Sequence, residues 1–131
     1  MLADTNVIVA LFDVGGTCAH TEARVLVEKA AASGESLMVT EGVLVECVWV
    51  LTARFRLTVA RVAEVLAEML STAPFELWDE RLGAAALRLM AAEPRLDVVD
   101  CLLLERSLAS GEPLVTFDRL ARRIGDELME I

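Results

Sequence analysis

Residues 96–120 read LDVVDCLLLERSLASGEPLVTFDRL, and the alternation inside this stretch decides the architecture. LDVVDCLLLERSLAS reads as a helix, closed by Gly111 in the position favoured just past a helix C-terminus. PLVTF (113–117) is a short apolar run and is expected as a buried strand. Asp118 follows where an N-cap is wanted, ahead of RLARRIG. Helix, strand and helix in close succession point to parallel strands joined by helical crossovers.

The same alternation extends outward. Residues 2–12, LADTNVIVALF, read as a strand with a turn or helix start after Asp4, and DVGGTCAH reads as a loop. Thr17 or Thr21 caps a helix reaching about Ala32. SLMVT (36–40) is a second buried strand, and Thr40 caps an almost wholly apolar helix over 42–54 that is expected to be buried all round. Thr58 caps TVARVAEVLAEMLS, FELW after Pro74 is a short strand, and Asp79 caps a helix through Ala92 that Pro94 stops. ELMEI is expected as a last strand. The fold class that follows is α/β, with a central parallel sheet covered by helices on both sides in three α/β/α layers. Residues 1–131 show no repeat or linker and are expected to form a single domain.

Composition narrows the function. At 56% hydrophobic residues the chain has ample core-forming material, and its three cysteines (Cys18, Cys47, Cys101) have no CxxC spacing. A reducing, cytoplasmic setting is the expectation, with no signal peptide and no apolar run near the roughly 18 residues of a membrane span. Twelve basic against 21 acidic residues give a formal charge of −9. That balance argues against a general nucleic-acid binder, which needs a broad basic surface. It is compatible with an enzyme acting on phosphodiesters through bound metal, because the ions neutralise clustered carboxylates.

Several acidic residues stand where a carboxylate is locally out of place. Asp4 opens DTNVIVALF, Glu46 interrupts GVLVECVWVL, Asp97 and Asp100 flank VV before CLLL, and Asp118 ends PLVTF. A lone buried carboxylate is very costly unless something positive compensates it, and no lysine or arginine lies within those runs. A shared divalent cation compensates them together, and oxygen-rich sites suit Mg²⁺ or Mn²⁺. In open α/β sheets the functional crevice lies beyond the carboxyl ends of the strands, where all five acids can converge. Taken singly, Asp118 is explained as an N-cap, Asp97 as a first-turn acid favourable to the helix dipole, and Asp4 as a turn residue. Asp100 and Glu46 resist such explanations, and jointly the functional reading prevails.

The order and spacing of these residues resemble the PIN-domain ribonucleases, and among them the VapC-like toxins of prokaryotic toxin–antitoxin pairs. The matching stretches are ADTNVIVALF, TEGVLVECVWVL and LDVVDCLLLERSLASGEPLVTFDRL, spanning almost the whole chain. Cys101 departs from the family pattern, where alanine is usual. The resemblance implies a PIN-like sandwich and Mg²⁺- or Mn²⁺-dependent cleavage of single-stranded or loop RNA. It casts Asp4, Glu46, Asp100 and Asp118 as the catalytic carboxylates and Asp4, Asp97, Asp100 and Asp118 as metal ligands. Thr116 and Asn6 would orient carboxylates from behind. Arg119 and Arg122 are candidates to hold RNA phosphates. A cognate antitoxin is the implied partner, expected to place a basic side chain beside Asp4, Glu46 and Asp100.

The remaining expectations are plainer. His20 is read as solvent-facing, and Trp49 and Trp78 as core or interface residues rather than base-stacking platforms. The high apolar content suggests a homodimer, with the helix bearing Val59, Val62 and Leu66 as a candidate interface. A phosphoacceptor receiver lacks its late lysine, because Lys29 is the only lysine, and an aspartate-nucleophile phosphatase lacks its second aspartate, because position 6 is Asn6. A catalytically silent PIN-fold interaction module is the alternative to the nuclease.

Overall fold

Strand β1 (Leu37–Val39) lies at the centre of a small parallel sheet in the computed structural model, which describes residues 1–129. On one side β2 (Phe75–Leu77) pairs with it in the register Leu37↔Phe75, Met38↔Glu76, Val39↔Leu77. On the other side the N-terminal segment adds a single parallel bridge, Leu2↔Met38, with Ala3 N–H donating to the Met38 carbonyl at 2.9 Å. Leu37 and Val39 are 2% and 0% exposed, so the β1 side chains that alternate inward are core.

Around the sheet run α1 (Thr5–Phe12), α2 (Cys18–Ser33), α3 (Glu41–Phe55), α4 (Val59–Leu70), α5 (Glu80–Ala92), α6 (Val98–Ser110) and α7 (Arg119–Met129). The capping residues read from sequence take their places. Thr17, Thr40, Thr58 and Asp79 accept from the backbone N–H of His20, Val43, Arg61 and Leu82, satisfying donors that a helix start leaves orphaned. Gly111 ends α6 in the left-handed region, at φ 75°. Gly83 serves a different purpose: a Cβ there would sit 2.6 Å from Leu77 Cδ1, so its hydrogen lets α5 close on β2.

The core joins Ile8 of α1, Leu44 and Leu51 of α3, Val62 and Leu66 of α4, Leu87 and Met90 of α5 and Leu102 of α6, all fully buried. Each such side chain contributes about 1.5–3 kcal/mol by leaving water. Val62 and Leu66 are therefore spent inside the monomer. The α4 face expected to form a dimer interface is core, with Val59 only half-buried beside it.

The turn or helix start expected after Asp4 is a helix, α1, which Asp4 caps and which turns Ile8 and Val9 inward. Three further expectations are corrected. Residues 113–117 form no strand, and Val115 and Phe117 are 91% and 96% exposed. Local side-chain bonds take the backbone instead: Arg122 Nε donates to the Thr116 carbonyl at 2.6 Å, and Thr116 Oγ1 accepts from the Asp118 N–H at 3.1 Å. Pro113 also lacks a donor. Residues 127–129 of the expected strand ELMEI continue α7, because Leu120, Ala121, Ile124 and Leu128 recur at helical spacing against the core; its last two residues lie outside the described range. Helix α3, finally, is not buried all round. Gly42, Glu46, Trp49 and Ala53, spaced four, three and four apart, form an exposed stripe.

Candidate metal and RNA site

Parallel pairing aligns the strand ends. With Leu2 opposite Met38, Asp4 falls level with Thr40, so α1 and α3 both begin at the carboxyl edge of the sheet. Asp4 caps α1, its Oδ1 accepting from the Thr5 N–H at 2.8 Å. Glu46 lies in the second turn of α3. These two carboxylates share one neighbour, the buried Cys47 thiol, whose pKa is pushed up to about 12 by burial first, then by the Glu46 charge and, more weakly, by Asp4. The Thr5 hydroxyl opposes that rise. Thr5 Oγ1 is itself buried and finds no hydrogen-bond partner of ordinary geometry, so its contact with the sulfur is a weak one.

A second group gathers at the starts of α6 and α7. Asp97 is the N-cap of α6 and accepts from the Asp100 N–H at 2.8 Å, a closer role than the first-turn acid expected of it. Asp118 caps α7 through the Ala121 N–H at 2.9 Å. Half-buried Asp100 sits between them, its pKa raised by desolvation first and then by the charges of Asp97 and Asp118, with the Asp97 backbone N–H partly offsetting this. Asp100 and Asp97 act in turn on buried Cys101, also near 12 chiefly through burial. Helix α3 packs on α6, so the Asp4–Glu46 pair and the Asp97–Asp100–Asp118 group occupy neighbouring elements.

Among the described residues none of the five carboxylates has a cationic partner. The ion pairs among the described residues are Arg24–Glu28, Arg61–Glu64, Arg95–Glu93 and Arg106–Glu41. Asp4, Glu46, Asp97 and Asp118 are exposed and Asp100 is half-buried, so the burial expected of these carboxylates is not found; as all-oxygen donors they fit a hard divalent cation by their chemistry. They are not gathered to ligating distance: among the described residues no three His, Cys, Asp or Glu side chains are close enough to hold a metal ion. The fit is thus one of donor type and of placement at or near helix starts. A groove of about 860 Å³ along α4, α5 and α6 contains none of the five.

The supporting residues fall out differently from expectation. Thr116 touches Asp118 through the backbone N–H rather than the carboxylate, and among the described residues the exposed Asn6 side chain makes no hydrogen bond. Arg122 is tied to the Thr116 carbonyl, while Arg119 begins α7 exposed beside Asp118. His20 is half-buried, with Nδ1 2.9 Å from the Ala10 carbonyl, and joins α2 to α1 instead of facing solvent. Trp78 packs against the core, but Trp49 is 59% exposed on the Glu46 stripe. Its spacing of three from Glu46 was the available signal, masked by the apolar residues on either side.

The chain belongs to the PIN-domain family: the family's model, described as PIN domain, matches residues 1–127, nearly the full length. PIN domains are generally nucleases and typically use divalent metals. No curated protein and no solved structure matches the chain significantly. The α/β architecture, with helices flanking a parallel sheet, is that of the family. No helix among the described residues is long and apolar enough to cross a membrane.

Proposed function

We propose that the chain, as a single domain over residues 1–131, is a metal-dependent endoribonuclease that cleaves single-stranded or loop RNA, and that it is the toxin of a toxin–antitoxin pair. The observation that carries this reading is the set of five carboxylates at or near the starts of α1, α3, α6 and α7, without an ion-pair partner among the described residues. Asp4, Glu46 and Asp100 would be the principal holders of Mg²⁺ or Mn²⁺, with Asp97 and Asp118 completing the charge. The cation would supply Lewis-acid activation of water and positive charge for the phosphate. The protein's own part is positional. Asp97 and Asp118 are fixed by the N–H groups they cap, and Asp100 is held between them with its negative charge disfavoured. Arg119, exposed next to Asp118, is free to meet a substrate phosphate; Arg122 reaches one only by leaving Thr116.

The reading extends to partners. A cognate antitoxin placing an arginine or lysine against Asp4, Glu46 and Asp100 would substitute for the cation's charge, and inhibition would then weaken as Mg²⁺ rises. A homodimer remains part of the proposal, although its surface lies elsewhere than Val62 and Leu66. Wild-type chain should cleave unstructured RNA only with Mg²⁺ or Mn²⁺, and Asp4→Asn or Asp100→Asn should lower the rate at least about 100-fold while circular dichroism stays unchanged, as expected for groups that stabilise charge at the reacting centre. Wild-type rates in both variants at saturating metal would remove the assignment. One observation favours a second reading, a catalytically silent interaction module: the absence of three gathered ligands among the described residues. RNA left intact by the wild-type chain at every metal concentration would favour it.

A further inference from the structure

We propose that Trp49 and Phe117 are stacking platforms for unpaired RNA bases, one in each half of the carboxylate site; this rests on the nuclease reading and specifies how its substrate is held. The chain has six aromatic residues, two Trp and four Phe. Phe12, Phe55, Phe75 and Trp78 pack against the core. The other two are turned to solvent, Trp49 at 59% and Phe117 at 96% exposure. Leaving an aromatic ring in water forfeits a large burial gain, and both exceptions fall beside candidate carboxylates. Trp49 follows Glu46 by one turn on the same exposed stripe of α3, about 4.5 Å further along the axis. Phe117 directly precedes Asp118, on a segment whose geometry is fixed by the bonds from Arg122 and Asp118 to Thr116.

Charge explains why such platforms are needed. A chain of net charge −9 offers no broad basic track for a polyanion. Single-stranded nucleic acid can instead be held through its bases, since every base has a π-face and aromatic stacking tolerates any sequence. A duplex keeps its bases stacked on one another and gains nothing from exposed rings. Two exposed aromatics, each within three residues of a candidate carboxylate, thus select unpaired RNA without extensive phosphate contacts. The salt dependence follows: binding should fall with log salt at a slope no steeper than about 2, the value for roughly three phosphates on a single strand.

The test uses the intact chain and its own fluorescence. The Trp49→Phe variant supplies the Trp78 background, and a short unpaired oligoadenylate is titrated against the same length of duplex RNA, over a time in which gels show the RNA intact. The unpaired RNA should quench the Trp49 emission and the duplex should not. Trp49→Ala and Phe117→Ala should each weaken binding on the order of 10-fold, with the loss falling on KM more than on kcat, and Trp49→Phe should recover most of it. Absence of quenching, with KM unchanged in both alanine variants of a chain that cleaves RNA, would overturn the stacking role and leave the nuclease reading intact. Quenching by unpaired RNA without cleavage at any metal concentration would uphold stacking and overturn the nuclease. Emission that shifts with chain concentration but ignores RNA would assign Trp49 to a protein contact and overturn the proposal.

Discussion

Residues 36–40, SLMVT, and residues 113–117, PLVTF, have the same length and nearly the same composition, yet the structure treats them oppositely. Leu37 and Val39 of the first are core, whereas Val115 and Phe117 of the second stand in solvent. Intrinsic preference does not separate them, since both are β-branched and apolar. Their backbone partners do. Met38 donates to the Met1 carbonyl and accepts from the Ala3 N–H on one side, while on the other Leu37 donates to the Pro74 carbonyl and Val39 accepts from the Trp78 N–H. The second run begins with a proline, and its Thr116 carbonyl and hydroxyl are engaged by Arg122 and Asp118. An apolar run becomes a strand only where neighbouring edges can take its hydrogen bonds. Where side chains take them first, its apolar residues are left outside, available for other uses.

The sharpest way to break this comparison is to place the same charge in both runs. Val39→Asp should cost at least about 3 kcal/mol, because it buries an unpaired carboxylate at a fully enclosed site. Val115→Asp should stay within about 0.5 kcal/mol of wild type, as a substitution at an exposed position. Urea midpoints measure both, and a large loss at Val115 would mean that 113–117 is packed as a strand after all.

The caps that follow the two runs give a smaller contrast. Asp118 accepts from Ala121 N–H at 2.9 Å and Thr40 from Val43 N–H at 3.4 Å. Asp118→Ala should cost about 1 kcal/mol and Thr40→Ala roughly half of that, in line with the two lengths. Asp118→Asn keeps the cap and should keep the stability. If it destabilises as much as alanine does, charge rather than capping is what Asp118 contributes to the fold.

The smallest expected effect concerns Asp100. Its pKa is raised in the folded chain by desolvation, Asp97 and Asp118, so folding disfavours its ionised form. The resulting penalty is present above the folded pKa and disappears as pH falls below the unfolded value. In metal-free buffer Asp100→Asn should therefore melt slightly above wild type at neutral pH, and the two curves should draw together through the acidic carboxylate range. A variant that melts below wild type at neutral pH would show that Asp100 is compensated by a cation or a donor.

Much of this was legible in the sequence because capping is local. Thr17, Thr40, Thr58, Asp79 and Asp118 declare themselves within four residues of the N–H groups they accept. So do the strands at 37–39 and 75–77, and the five acids that interrupt apolar runs. The family match over residues 1–127 agrees with the α/β reading. What escaped was decided at a distance. Whether PLVTF finds an edge depends on Arg122 and Thr116, and whether α4 offers a surface depends on what covers Val62 and Leu66. Trp49 escaped because α3 is apolar on most positions, and composition alone does not reveal which stripe faces water.

The central claim is that Asp4, Glu46, Asp97, Asp100 and Asp118, set at or near the starts of four helices and left without cationic partners among the described residues, act together on a divalent ion. Calorimetric titration of Mn²⁺ into the metal-free chain tests it directly, apart from any RNA. Saturable binding to the wild type, lost in the Asp4→Asn/Asp100→Asn double variant while its fold persists, is the result predicted. Equal binding by both chains, or none by the wild type, would contradict it.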